Sequence, residues 1–292
     1  MNFNKRFLSL AIGILCFAAG NVFAQGRGGV NWTKDGNGYY TSSNGEIQSV
    51  TLPKSERKIL FSRELLTPSD NANPLNVRSF SQTDDGTKAL IYTNTKRVWR
   101  QDSRGDYYVA DNISGKLTKI GKDKPASSLM FAKFSPDATK VAYVSGHNLY
   151  VEDLATGTSK ALTTDGTLRM INGTFDWVYE EEFGCLDGFR WSPDGKSIAY
   201  WQIDATKIKN FLMVNNTDSI YSFNVPVEYP KVGEDPSACK IGVVDISTAK
   251  TTWMQVPGSA VQNYIPRMEW IPNTNEIILQ QLNREQNISK LF

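Results

Sequence analysis

Phe134-Ser135-Pro136-Asp137-Ala138-Thr139-Lys140-Val141-Ala142-Tyr143 returns as Trp191-Ser192-Pro193-Asp194-Gly195-Lys196-Ser197-Ile198-Ala199-Tyr200. An aromatic residue, a polar turn and an alternating apolar strand recur in the same order. Within the turn, proline presets φ, glycine tolerates a left-handed position and aspartate accepts bonds from nearby amides. Weaker copies begin at Phe80-Ser81-Gln82-Thr83-Asp84-Asp85-Gly86 and at Trp270-Ile271-Pro272-Asn273, so successive starts lie 54, 57 and 79 residues apart. Strands rich in β-branched and aromatic residues follow, such as Lys88-Ala89-Leu90-Ile91-Tyr92 and Val141-Ala142-Tyr143-Val144. A second strand pair closes the unit, clearest at Asn148 to Leu154, the turn Ala155-Thr156-Gly157, and Ser159 to Leu162. Four short strands per ~50 residues is the content of a β-propeller blade. The predicted fold is therefore all-β, a partial β-propeller of about four to five four-stranded blades. A β-sandwich with chance likeness between its turns is the alternative, but it does not explain why aromatic, turn and strand recur together.

The longest interval exceeds one blade, which predicts an insertion within Asp204 to Pro236 and extra sequence ahead of Trp191. Insertions in repeat proteins fall in loops on one face, often the binding face. At the other end of the chain, Lys5 and Arg6 precede an apolar run from Phe7 to Gly20, and Val22-Phe23-Ala24 offers a small-residue cleavage pattern. This reads as a secretory signal peptide, residues 1–24, cleaved after Ala24, which predicts a periplasmic or secreted protein. The apolar run is too short to span a bilayer, and no later run is long enough. Removal of the signal leaves 268 residues with 30 basic and 30 acidic side chains. A neutral chain argues against a general polyanion binder, and nucleic acid is excluded as a partner. Cys16 lies in the signal; Cys185 and Cys239 either pair or stay as two buried thiols. His147 is the only histidine, so a multi-histidine metal site is excluded, and Ser145-Gly146-His147-Asn148 reads as a hairpin turn.

The densest chemistry is Asp176-Trp177-Val178-Tyr179-Glu180-Glu181-Glu182-Phe183. On a helix, neighbouring side chains diverge by about 100 degrees, and adjacent carboxylates repel. They serve a common purpose only with a cation between them, an ammonium group or a metal ion. A short helical insertion is expected to carry this motif, and Trp177, Tyr179 and Phe183 can anchor it; a solvated acidic turn is the ordinary alternative.

Asp-Trp-Val-Tyr-Glu-Glu-Glu followed by Trp-Ser-Pro-Asp-Gly resembles the propeller of dipeptidyl peptidase IV enzymes, in the prolyl oligopeptidase class. The likeness extends to Val98-Trp99-Arg100, the tract Pro226 to Gly233, and Leu282-Asn283-Arg284-Glu285-Gln286-Asn287. The resemblance implies that Glu181 and Glu182 bind the free N-terminal ammonium of a peptide substrate, and that Arg100 contacts a substrate carbonyl. A surface ion pair is the ordinary reading of Arg100. The resemblance further implies an exported serine exopeptidase releasing X-Pro or X-Ala dipeptides, peptide substrates with a free N-terminus, and no cofactor. Homodimers are frequent in that family. A prolyl tripeptidyl aminopeptidase and a non-enzymatic propeller that binds partner proteins are the competing readings.

Hydrolysis in that class needs Ser, His and Asp on a separate α/β-hydrolase domain, and no Gly-x-Ser-x-Gly occurs in the 292 residues. The resemblance implies a propeller of eight blades, of which residues 25–292 are expected to be the N-terminal part. The catalytic triad is expected outside this chain. Blade faces left open by a partial ring predict an isolated chain that is aggregation-prone or partly disordered at its C-terminal end.

Overall fold

The computed structural model describes residues 30–292, so the signal segment, its cleavage site after Ala24 and Cys16 lie outside the described residues. The described residues form two compact units, residues 30–60 and 61–292. In the first, β1 (Asn31–Trp32), β2 (Gly38–Ser43), β3 (Glu46–Thr51) and β4 (Glu56–Phe61) make an antiparallel meander that buries Ile47 and Val50. Its first turn, Trp32-Thr33-Lys34-Asp35-Gly36, is a copy of the repeat that sequence reading missed. Thr33 Oγ1 donates to Asp35 Oδ1 at 2.6 Å and the Asn37 amide donates to the same oxygen at 3.1 Å. Lysine replaces the proline there and no apolar alternation follows, so the turn chemistry survives without its most visible residues.

In the second unit, β5 (Ser79–Gln82), β6 (Lys88–Val98), β7 (Gln101–Asp111) and β8 (Lys116–Lys119) form one four-stranded meander. A second comprises β9 (Met130–Phe134), β10 (Lys140–Ser145), β11 (Asn148–Asp153) and β12 (Ser159–Ala161). The next sheet begins with β13 (Met170–Asn172), leaves for the helix α1 (Trp177–Phe183), and resumes with β14 (Phe189–Trp191) and β15 (Ser197–Asp204). The hairpin β16 (Asn210–Asn215) and β17 (Phe223–Glu228) is then inserted before β18 (Ala238–Asp245) and β19 (Thr251–Trp253) complete the sheet. The strands β20 (Asn263–Trp270), β21 (Ile277–Asn283) and β22 (Ser289–Leu291) form the last described sheet. Among the described residues the fold is nearly all-β with one short helix, as predicted, and the insertion falls within the expected interval.

The repeated turn is held by its own side chains. Ser135 Oγ donates to Asp137, the Lys140 amide donates back to Ser135 Oγ at 3.0 Å, and Ser192, Asp194 and Ser197 repeat the arrangement. In the copy near Phe80 the equivalent pair is Thr83 and Asp85, at 2.6 Å, so Gln82 occupies the position filled elsewhere by the aromatic residue. The start read at Phe80 is corrected accordingly: the hydroxyl–carboxylate bond, not the aromatic residue, defines the register. That bond from Thr83 is the main reason the Asp85 carboxyl falls to about 2.

The cores lie between consecutive sheets. Leu90, Tyr107 and Val109 meet Leu129, Val141 and Tyr143; Val144 and Leu149 meet Phe189, Ile198 and Tyr200; Ala199, Trp201 and Ile241 meet Tyr264, Ile265 and Met268. Side chains on the two faces of a strand alternate, so each inner strand feeds both neighbouring cores. The indole N–H groups of Trp191 and Trp270 reach back to the carbonyls of Lys133 and Arg190, at 3.4 and 3.1 Å. The repeated aromatic therefore fixes one blade on the residue that precedes the aromatic position of the blade before it.

Candidate functional site

The glutamate segment is an excursion from an edge strand of its sheet. β13 pairs with residues 202–204 of β15 and β14 with residues 198–200, so the intervening loop leaves the sheet and returns to the same edge. Gly173 and Gly188 pinch its base, with the Gly188 amide donating to the Gly173 carbonyl at 3.0 Å. A Cβ at position 188 would stand 2.7 Å from the Gly173 carbonyl carbon, which is why a side chain is excluded there.

Helix α1 starts and stops by local chemistry. Asp176 is its N-cap and accepts from the Tyr179 amide at 3.1 Å, while Gly184 closes it in the left-handed conformation with φ 64. A second bond to Asp176, from Ser237 Oγ, ties the cap to the chain entering β18. Burial pushes the Asp176 carboxyl up, and the Ser237 bond opposes this. Tyr179 is fully buried, stacks on Phe175 at 5.5 Å, meets Phe183 and Tyr264, and its hydroxyl accepts from the Ile265 amide at 3.2 Å. Phe183 adds a ring contact to Tyr264 at 4.8 Å. Trp177 packs instead on Tyr229 at 4.4 Å, at the root of the inserted hairpin. All three aromatic anchors read from the sequence hold the helix, and the third joins it to the insertion.

The β6–β7 hairpin brings the partner. Its strands are 11 residues each, and the far half of β6 stands clear of the core. Asp106 braces the bend by accepting from Asn94 at 2.7 Å and from the Ser127 amide at 2.9 Å. At the tip, Trp99 turns with φ 45 and Arg100 projects over the helix. Arg100 Nε lies 2.8 Å from Glu181 Oε2, with side-chain exposures of 78% for the arginine and 13% for the glutamate. Two of the three site residues named from the sequence are thus in contact, although far apart in the chain. Arg100 gives Glu181 a cationic partner from the protein itself. Glu182, the third, is exposed beside them.

Glu180 was not singled out, and the structure gives it a distinct character. Its Oε1 is out of solvent contact and accepts no hydrogen bond. Burial, and then the negative charge of Glu181, raise its carboxyl to about 7. The sequence signal was present as the first glutamate in the run; its buried oxygen without a hydrogen bond separates it from the other two. A raised folded value means the folded state holds the proton more tightly. The contribution of Glu180 to stability is therefore greatest at low pH and declines as pH rises from the ordinary carboxylate range through about 7. Glu180→Gln should raise Tm at about pH 8 and leave it unchanged near pH 4, read by thermal unfolding at both values. An equal shift at both pH values would exclude titration of Glu180 as the cause.

His147 occupies the β10–β11 turn as read, with φ 61, and stands apart from the glutamates. Burial lowers its pKa; Arg104 lowers it further and Glu228 opposes both. Cys185 and Cys239 are both free and buried, which decides between the two readings left open.

Inter-blade cores, hydroxyl–aspartate turns and a loop that carries acids off an edge strand define a β-propeller. The chain belongs to the dipeptidyl peptidase IV N-terminal region family, whose model matches residues 83–292. It is 28% identical over 229 residues to dipeptidyl aminopeptidase B of Saccharomyces cerevisiae, covering 76% of this chain and 27% of that protein. It is 27% identical to a dipeptidyl aminopeptidase, described as putative, of Schizosaccharomyces pombe, covering 82% of this chain and 31% of the relative. The crystal structure of Porphyromonas gingivalis dipeptidyl peptidase 4 superposes with a TM-score of 0.81 at 26% identity, over 90% of this chain and 37% of that one. The chain thus spans about a third of the length of these relatives.

Proposed function

We propose that this chain is the substrate-anchoring propeller region of an exported serine exopeptidase that releases dipeptides with proline or alanine second. Glu181 and Glu182 hold the free N-terminal ammonium of the peptide, and Arg100 presents its fork to a substrate carbonyl. The contact between Arg100 and Glu181 on a rigidly capped helix carries the reading. Two carboxylates around one ammonium make charge-assisted bonds and lose their mutual repulsion. Arg100 keeps Glu181 paired until substrate arrives. A pair with so exposed an arginine is worth only about 0.2–1 kcal/mol, so an ammonium can replace it. The acids act as a ruler, because only a chain ending two residues before the scissile bond reaches both them and the nucleophile. Membership of a family whose relatives are named dipeptidyl aminopeptidases supports this.

In this proposal residues 1–24 are the signal peptide, cleaved after Ala24, residues 25–292 are propeller, and the Ser-His-Asp triad lies on a C-terminal α/β-hydrolase domain. The protein acts in the periplasm or after secretion. The inserted hairpin, which exposes Leu212, Met213, Val214 and Tyr221, is the surface offered for homodimer formation, to be read by sedimentation. The full-length protein should cleave H-Gly-Pro-p-nitroanilide and fail on its N-acetyl form, since acetylation removes the ammonium charge. Equal cleavage of both would overturn the reading, and release of tripeptides alone would point to a tripeptidyl enzyme. Arg100→Ala should lower kcat/KM by about tenfold, as loss of bonds from a charged donor to a neutral carbonyl costs about 1.5–3 kcal/mol before partial replacement by water.

A further inference from the structure

The geometry points to Arg267 as a positioning residue that sets the height of the glutamate helix over the blade. The inference rests on the ammonium-anchoring reading above and adds the part that holds the anchor still. Helix α1 has no basic residue in its last turn, and its terminal carbonyls lack partners within so short a helix. Arg267 supplies one from another strand. Its Nη1 and Nη2 donate to the Phe183 carbonyl at 3.4 and 3.3 Å, and Nη1 also reaches the Cys185 sulfur at 3.4 Å and the Pro266 carbonyl at 2.7 Å. The guanidinium thereby joins the end of α1 to β20, at the irregularity in β20 that follows Tyr264. Its charge complements the carbonyl end of the helix. The Cys185 sulfur makes a second tie, to the Pro266 carbonyl at 3.4 Å.

Phe183 directly follows Glu182. With a rise of about 1.5 Å per residue, slack at Phe183 reaches Glu182 and Glu181 within one turn. An ångström of misplacement can cost a site about a hundredfold. The N-cap, held by Ser237 and the buried Tyr179, secures the other end of the helix, so loss of Arg267 loosens only the glutamate end. An anchor remote from the scissile bond acts on substrate binding; the loss therefore appears in KM and leaves kcat nearly unchanged. A loose anchor also measures length less strictly.

The test uses the full-length protein with Arg267→Met, Arg267→Lys and Glu181→Ala, assayed on H-Gly-Pro-p-nitroanilide and H-Ala-Ala-Pro-p-nitroanilide. Arg267→Met should raise KM for the first substrate about tenfold with kcat within about twofold, and shift preference toward the longer substrate. Arg267→Lys keeps the charge and loses the fork, so it should give a smaller rise in the same direction. A wild-type KM and length preference in both variants, or in the lysine variant should that alone fold, overturns the inference. A fall in kcat alone, with KM and preference unchanged, overturns it as well. Glu181→Ala separates the two levels: unchanged KM there sinks the anchoring reading, whereas a large effect there beside silent Arg267 variants sinks only the role of Arg267.

Discussion

On the proposed anchoring, Glu181→Ala in the full-length protein should lower kcat/KM for dipeptidyl substrates with free N-termini by about 10²–10³-fold, and Glu182→Ala, at an exposed residue, by less, while the fold is retained. The size follows from what is left behind. Removing one partner of a desolvated ion pair costs about 3–5 kcal/mol, because the remaining charge stays without its counterion. Each 1.4 kcal/mol is a factor of ten. Glu181 is the more buried of the two and should show the larger effect. Its loss also releases Arg100, which is exposed enough to be solvated, so stability should change little. Glu181→Gln keeps shape and one acceptor and should recover only part of the activity. Unchanged kinetics in both alanine variants would show that the ammonium is held elsewhere.

Tyr179→Ala should destabilise the propeller by about 3–5 kcal/mol, the range for truncating a buried aromatic residue. The ring is fully buried among Phe175, Phe183 and Tyr264, and its hydroxyl satisfies the Ile265 amide. Alanine would leave a cavity and strand that amide in the core. Tyr179→Phe isolates the second effect, with an expected loss of about 1–3 kcal/mol for the unsatisfied donor. Thermal unfolding followed by tryptophan fluorescence should place the alanine variant about 10 °C below wild type or lower. A shift under about 2 °C would mean that the helix is held chiefly by its caps. Activity should fall with stability in the alanine variant, because the same ring seats the glutamates.

How much of this was legible in the sequence varies with the distance over which each feature is encoded. The repeated turn was visible because Ser135 and Asp137, or Ser192 and Asp194, bond each other within a few residues. The copy at Thr33 and Asp35 uses the same bond and was overlooked, since lysine stands in place of the proline and the strand after it shows no clean alternation. The glutamate run was likewise local, and so were the aromatic residues that anchor it. The interval that exceeded one blade placed the inserted hairpin, without indicating that Trp177 and Tyr229 would join it to the helix.

Sequence alone determined that this is a chain of blades with an acidic helix interrupting one of them, because hydroxyl–carboxylate turns and strand alternation are short-range chemistry. The tertiary structure decided what the acids face. Arg100 against Glu181, Ser237 on the Asp176 cap and Arg267 on the Phe183 carbonyl all join residues from different strands. The burial that lifts the Glu180 carboxyl is of the same origin. These contacts arise only when blades pack side by side, since the packing sets the distances between loop ends and determines which carboxylate loses its water.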